Sequence, residues 1–258
     1  MYSAVTLLLQ ELLSERCIIM NTVKFDKANV KMIAHRGLSG IECENTNAAF
    51  VAAGNRSYFG IETDVHVTSD GKFAIIHDDA TGRVCEKDIP VEESNLSELQ
   101  GLTLKKPGLE EFRLDYCIPE LREYIGICKK YEKVCVLELK NDMSQDAIEG
   151  IADVVLGEGY LDSTIFISFH WENLIILRKL IPGCKVQFLV NKCDDHLVGK
   201  LDENRIGLDI YWKSVTPELI EKIHSVGLEI NCWTVDEAKD AERLALWGVD
   251  YITSNILE

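Results

Sequence analysis

The sequence predicts a (β/α)8 TIM barrel, and three observations carry that prediction. Short β-rich apolar runs alternate with longer amphipathic segments from Val30 onward, there are eight such runs, and 258 residues suit one closed barrel. Hydrophobic residues make up 47% of the chain, enough for one sizeable core. A doubly wound open sheet is the competing fold, but no Gly-x-Gly-x-x-Gly follows the first strand.

The strand candidates are Lys31 to Ala34, Gly60 to Val67, Lys133 to Leu139, Thr164 to Phe169, Lys185 to Val190, Ile206 to Ile210, Leu228 to Thr234 and Asp250 to Thr253. Helical spacing falls between them, over Asn45 to Ala53, Pro119 to Tyr131, Ser144 to Glu158, Trp171 to Leu180, Asp194 to Glu203, Pro217 to Ser225 and Asp236 to Trp247. Ser144 and Asp236 can accept orphan amide hydrogens at helix starts, Pro217 suits a first helical position, and Gly227 and Gly248 suit helix ends. One interval breaks the rhythm. A turn at Ser69-Asp70-Gly71 leads to an extra strand, Lys72 to His77, in a hairpin with the second strand. An insertion at about 79–116 follows, without a clean helical period and ending in a charged run around Lys105 to Arg113. It reads as an excursion over the barrel mouth that helps shape a substrate cleft.

Residues 28–258 form a single domain, and residues 1–27 stand apart as a leader. The apolar stretch Met1 to Leu13 has no basic n-region and is interrupted by Gln10 and Glu11, a poor fit to a secretory signal. Met20 offers a second start, which leaves the leader as extra sequence or a short docking helix. No stretch approaches the roughly 20 apolar residues of a membrane span. A formal net charge of -16 argues against nucleic acid, whose binding needs a basic stripe, so an anionic substrate must be held by local charge. Nine scattered cysteines with no C-x-x-C pair signal neither a disulfide framework nor a zinc ribbon, and a reducing, cytoplasmic setting is expected. Oligomeric state, a homo-oligomer included, stays open.

In a barrel the chemistry sits at the C-terminal ends of the strands. His35 and Arg36 end the first strand. Glu62 and Asp64 lie two residues apart on the second, so both side chains point to one face, and Glu138 and Lys140 repeat that spacing on the third. An unpaired inward carboxylate costs several kcal/mol, and three of them can share a hard cation, Mg2+ or Ca2+ rather than zinc. His35, and His77 at the end of the extra strand, can move protons beside it. His66, two residues from Asp64, either supports that site from behind or faces substrate. His170, His196 and His224 fall on helices or their starts and read as structural.

These residues carry a resemblance. His35-Arg36-Gly37, Glu44-Asn45-Thr46 with Ala49-Phe50, Ile61-Glu62-x-Asp64-Val65, Thr68-x-Asp70-Gly71 and His77-Asp78 resemble the glycerophosphodiester phosphodiesterase family in its bacterial short form. Ile118-Pro119-x-Leu121-x-Glu123, Leu137-Glu138-Leu139-Lys140 and Trp233-Thr234-Val235 continue the likeness in order, across Ile33 to Thr253. The resemblance implies a barrel hydrolase of lipid and glycerol metabolism that splits glycerophosphodiesters into glycerol 3-phosphate and an alcohol. It implies that Glu62, Asp64 and Glu138 bind one divalent cation, that His35 and His77 are general acid and base, and that Arg36 and Lys140 hold phosphate oxygens. Trp233 would pack against glycerol or the leaving group. The family's last strand commonly ends in Thr-Asp-x-Pro, where this chain has Thr253-Ser254-Asn255-Ile256, a departure in the closing loop. Two other readings keep the barrel: a phosphodiesterase acting on another lipid-derived diester through a cyclic phosphate, and a barrel that binds a phosphate ester without turning it over.

Overall fold

Strands with apolar side chains on both faces need cover on both sides, and a closed parallel ring sheathed in helices supplies it. The computed structural model describes residues 21–105, 113 and 115–258. Its strands are β1 (Lys31–Ala34), β2 (Gly60–Val67), β3 (Phe73–Ile75), β4 (Val134–Leu139), β5 (Thr164–Ser168), β6 (Lys185–Val190), β7 (Gly207–Tyr211), β8 (Ile230–Trp233) and β9 (Tyr251–Ser254). β1, β2 and β4 to β9 pair in parallel with their neighbours, and β1 pairs with both β2 and β9, which closes the eight-stranded barrel. β3 is the predicted extra strand, antiparallel to β2 with Val67 opposite Phe73.

The helices are α1 (Asn47–Gly54), α2 (Leu96–Gln100), α3 (Leu121–Lys130), α4 (Gln145–Gly157), α5 (Trp171–Leu180), α6 (Asp195–Asn204), α7 (Pro217–Ser225) and α8 (Ala238–Trp247). All but α2 stand at the predicted helical segments. Ser144 caps α4 through the Ala147 N–H, and Thr216 caps α7 with Pro217 following it. Three predicted starts move by two residues, that of α3 from Pro119 to Leu121 among them. α1 begins after Thr46, because Asn45 takes a left-handed conformation (φ 53°) and turns its amide onto Asp64. The start of α8 follows Glu237, because the Asp236 carboxylate accepts instead from the Asn255 backbone and side chain and from Ser254 Oγ.

Most buried apolar side chains lie between barrel and helices, among them Phe50, Tyr124, Leu137, Phe166 and Leu208. A smaller cluster of Ile33, Val136, Ile165, Ile167, Leu189 and Tyr251 packs within the ring. The insertion has a core of its own. Cys43, Val84, Cys85, Val91, Leu99, Leu104 and Ile118 bury together, and Asn95 and Glu98 close a capping box on α2. A helix of five residues is too short for its periodicity to show in sequence, which is why this segment reads as irregular. Asp70 in the hairpin turn accepts the Leu96 N–H at 3.1 Å, tying α2 back to the barrel. The leader through residue 20, and residues 106–112 and 114 of the charged run, lie outside the described residues. Among the described residues no helix is long and apolar enough to cross a membrane, and the eight described cysteines are free thiols.

Candidate active site

Parity along the strands decides which side chains enter the barrel. Glu62 and Asp64 on β2 point inward together, and parallel register sets Asp64 beside Glu138 of β4. All three are buried, and each offers an oxygen within 4.8 Å of the others. This donor set is all oxygen, which fits a hard divalent cation. Asp64 Oδ1 is buried and makes no hydrogen bond, although Lys140 Nζ approaches to 3.5 Å.

The turn after β1 brings the cations. Arg36 (φ 53°) and Gly37 (φ 74°) are consecutive left-handed residues, and a Cβ on Gly37 would lie 2.7 Å from the Ala49 backbone. That tight turn points the Arg36 N–H at Glu62 Oε2 (2.7 Å) and lays its guanidinium against Glu44 (2.8 Å) and Asp64 (3.6 Å). Lys140 Nζ reaches Glu138 at 2.9 Å. Asn45 Nδ2 donates to Asp64 Oδ2 at 2.8 Å, and Asn45 Oδ1 accepts from Thr63 at 2.7 Å.

These neighbours divide the three carboxyls. Burial pushes Glu62 well up, and the charges of Asp64 and Glu138 push it further. Burial and Asp64 likewise raise Glu138 to about 7 against the pull of Lys140. Burial works the same way on Asp64, but Arg36 and Lys140 outweigh it and hold this carboxyl well below the usual range.

Both predicted proton carriers line the same cavity as Glu62 and Glu138. His35 Nδ1 lies 2.8 Å from Asn255 Oδ1. The Asn255 amide faces this way because its Nδ2 donates to Asp236 at 2.6 Å, so the oxygen can only accept and Nδ1 of His35 carries the hydrogen. His77 Nδ1 lies 2.6 Å from Asp78 Oδ1, which fixes the same tautomer. In each ring Nε2 is then left to exchange protons at the cavity. Burial and the Arg36 charge lower His35 to about 4, and burial also lowers His77, so each ring gives up a second proton readily.

The insertion supports the rim. Arg83 joins Asp78 (2.5 Å) to Glu44 (2.7 Å), linking the partner of His77 to the partner of Arg36. His66 is fully buried between Glu92 of the insertion (3.0 Å) and the His77 carbonyl (3.3 Å) and is absent from the cavity lining. Its side chain therefore lies behind the cavity lining. Trp233 lines the cavity at the end of β8, edge-on to Phe169, with its Nε1 buried and without a hydrogen-bond partner. The closing loop survives its departure from the family pattern, because Ser254 Oγ accepts from the Ile256 and Leu257 amides and holds the turn.

Several residues here had no role in the sequence reading. Glu44 and Asn45 stood only as motif letters, and Asn255 only as a departure. Asp209 went unmarked although it sits between Leu208 and Ile210 in an apolar strand, and that placement was the available signal. It lines the cavity, 1% exposed; burial and the Glu138 charge hold its carboxyl well above the usual range. An unmet buried polar group of this kind costs about 1–3 kcal/mol.

Residues 35–257 match the Glycerophosphoryl diester phosphodiesterase family. The chain is 31% identical over 238 residues to YhdW of Bacillus subtilis, covering 87% of this chain and 93% of that protein. It is 28% identical over 230 residues to a glycerophosphodiester phosphodiesterase of Caldanaerobacter subterraneus, again covering 87% and 93%. Among solved structures, a phosphodiesterase of Oleispira antarctica in complex with the product sn-glycerol-3-phosphate matches with a TM-score of 0.83 at 26% identity, over 91% of this chain and 96% of that one.

Proposed function

This chain belongs to the glycerophosphoryl diester phosphodiesterase family, and from that premise we propose that it hydrolyses glycerophosphodiesters to glycerol 3-phosphate and an alcohol with a divalent cation and two histidines. The observation that carries this reading is convergence. Three buried carboxylates cluster together, and two of them, Glu62 and Glu138, line one cavity at the C-terminal end of the barrel with two imidazoles whose Nδ1 atoms are tied.

Glu62, Asp64 and Glu138 would hold the cation, Mg2+ or Ca2+, which when bound neutralises phosphoryl charge. Arg36 and Lys140 stand against those carboxylates and supply further positive charge to the phosphate oxygens. One histidine, neutral, takes the proton of the attacking oxygen at Nε2, and the other, entering the step as an imidazolium with a second proton on Nε2, gives that proton to the departing alkoxide. Asn255 and Asp78 keep each ring in the tautomer that leaves Nε2 for this work. Arg83 and Glu44 brace both sides of the arrangement.

The test is release of glycerol 3-phosphate from a glycerophosphodiester by the wild type, with and without chelator, and by His35→Ala and His77→Ala. Chelation should abolish release, and each substitution should lower turnover by roughly 10²-fold or more. Full activity in chelator, or in either variant, would overturn the assignment. A barrel that only bound the ester would show no turnover in any arm.

A further inference from the structure

Asp209 has no task in the chemistry above, yet it lines the same cavity. Its Oδ2 accepts from Asn231 Nδ2 at 3.1 Å, while its Oδ1 is buried without a hydrogen-bond partner. The charge that acts on it is Glu138, of like sign, and no cation among the described residues pairs with it, so this is not half of an ion pair. A second unmet polar atom borders the cavity, Trp233 Nε1, which can only donate.

The two residues sit on adjacent strands. Asp209 is level with Asn231, and Trp233 lies two residues further toward the mouth. With strands about 4.8 Å apart and a rise of about 3.3 Å per residue, their backbones are roughly 8 Å apart on the diagonal. Both side chains line the cavity at that backbone separation, so one small ligand can meet both. A hydroxyl can accept from the indole and donate to the carboxyl, whereas an ammonium can only donate. The cavity, about 60 Å³, is also narrow. At roughly 10–15 Å³ per water-sized group it has room for a few such groups, the size of a small polyol.

We propose that Asp209, with Trp233, is a specificity-determining residue that reads the paired hydroxyls of the substrate's glycerol half, the half that every glycerophosphodiester shares. This rests on the functional reading above. It assigns selectivity to glycerol and leaves the head group unread by Asp209.

The experiment is calorimetric binding, with Mg2+ or Ca2+ present, of sn-glycerol 3-phosphate, ethyl phosphate and phosphoethanolamine to wild type, Asp209→Leu and Asp209→Asn. Melting curves first establish that each variant folds. Asp209→Leu should weaken glycerol 3-phosphate roughly 10- to 100-fold, toward the affinity of ethyl phosphate, and leave ethyl phosphate where it was. Asp209→Asn, which keeps an acceptor and a donor, should stay within about threefold of wild type. Turnover of glycerol diesters with ammonium and neutral head groups should fall in Asp209→Leu by the same factor. Equal weakening of all three ligands would make the role structural, loss confined to phosphoethanolamine would make Asp209 a cation reader, and unchanged glycerol 3-phosphate binding would remove its role. Each of these overturns the proposal. The functional reading fails by a separate sign, a wild type that releases no glycerol 3-phosphate from any glycerol diester.

Discussion

Adding a divalent metal to the metal-free protein should raise its melting temperature, and Glu62→Gln should remove most of that rise. The oxygens of Glu62, Asp64 and Glu138 can lie within 4.8 Å of one another, where two unit charges repel by about 3.5 kcal/mol at an effective dielectric constant near 20. Lys140 at 2.9 and 3.5 Å and Arg36 at 3.6 Å offset part of this, and the upward displacement of Glu62 and Glu138 lets protons offset more. A cation bound only by the folded chain, at 100 times its dissociation constant, stabilises it by about 2.7 kcal/mol. For a chain of this size that corresponds to a rise of roughly 5–10 °C. In Glu62→Gln the amide oxygen can still accept the Arg36 N–H, so the metal-free variant should melt at or above the metal-free wild type. The assay is thermal melting in chelator, followed by titration with Mg2+ and with Ca2+. A variant that keeps the full metal-induced rise, or a wild type that shows none with either ion, would refute the reasoning.

The fold should also lose stability in acid through His35. The unfolded ring binds a proton below about 6.5 and the folded ring only below about 4, so between those values the unfolded chain holds more protons and stability falls as pH drops. The full loss would be about 3 kcal/mol, nearer 2 because the ring opens onto the cavity, and urea melts in chelator from pH 7 to 4.5 should show it in wild type but not in His35→Gln. Asn255→Ala should lower kcat roughly 10- to 100-fold with little change in KM, because it frees the His35 tautomer without touching Arg36 or Lys140; an unchanged kcat in steady-state assays would count against that tie.

Much of the carboxylate cluster was legible because its rules are local. Two carboxylates at i and i+2 share a strand face whatever surrounds them, and that alone put Glu62 with Asp64 and Glu138 with Lys140. His66 obeys the same parity and is nevertheless shut away, because the insertion brings Glu92 over it and the hairpin brings the His77 carbonyl. Sequence spacing has no access to what a distant loop will cover. Asp236 shows the other limit: as a residue before a helix it suits a cap, but the closing loop offers it three donors, from Ser254 and Asn255, and takes it.

The sequence by itself determined the alternation of strands and helices, the count of eight parallel strands and the inward pairs, since periodicity, caps and apolar runs act over a few residues. Only the tertiary structure decided which tautomer His35 and His77 hold, that Arg83 bridges their surroundings to Arg36, and that Asp209 ends in the cavity with an unmet oxygen. Those outcomes depend on contacts between segments up to 220 residues apart, and closure of the barrel is what brings β9 beside β1.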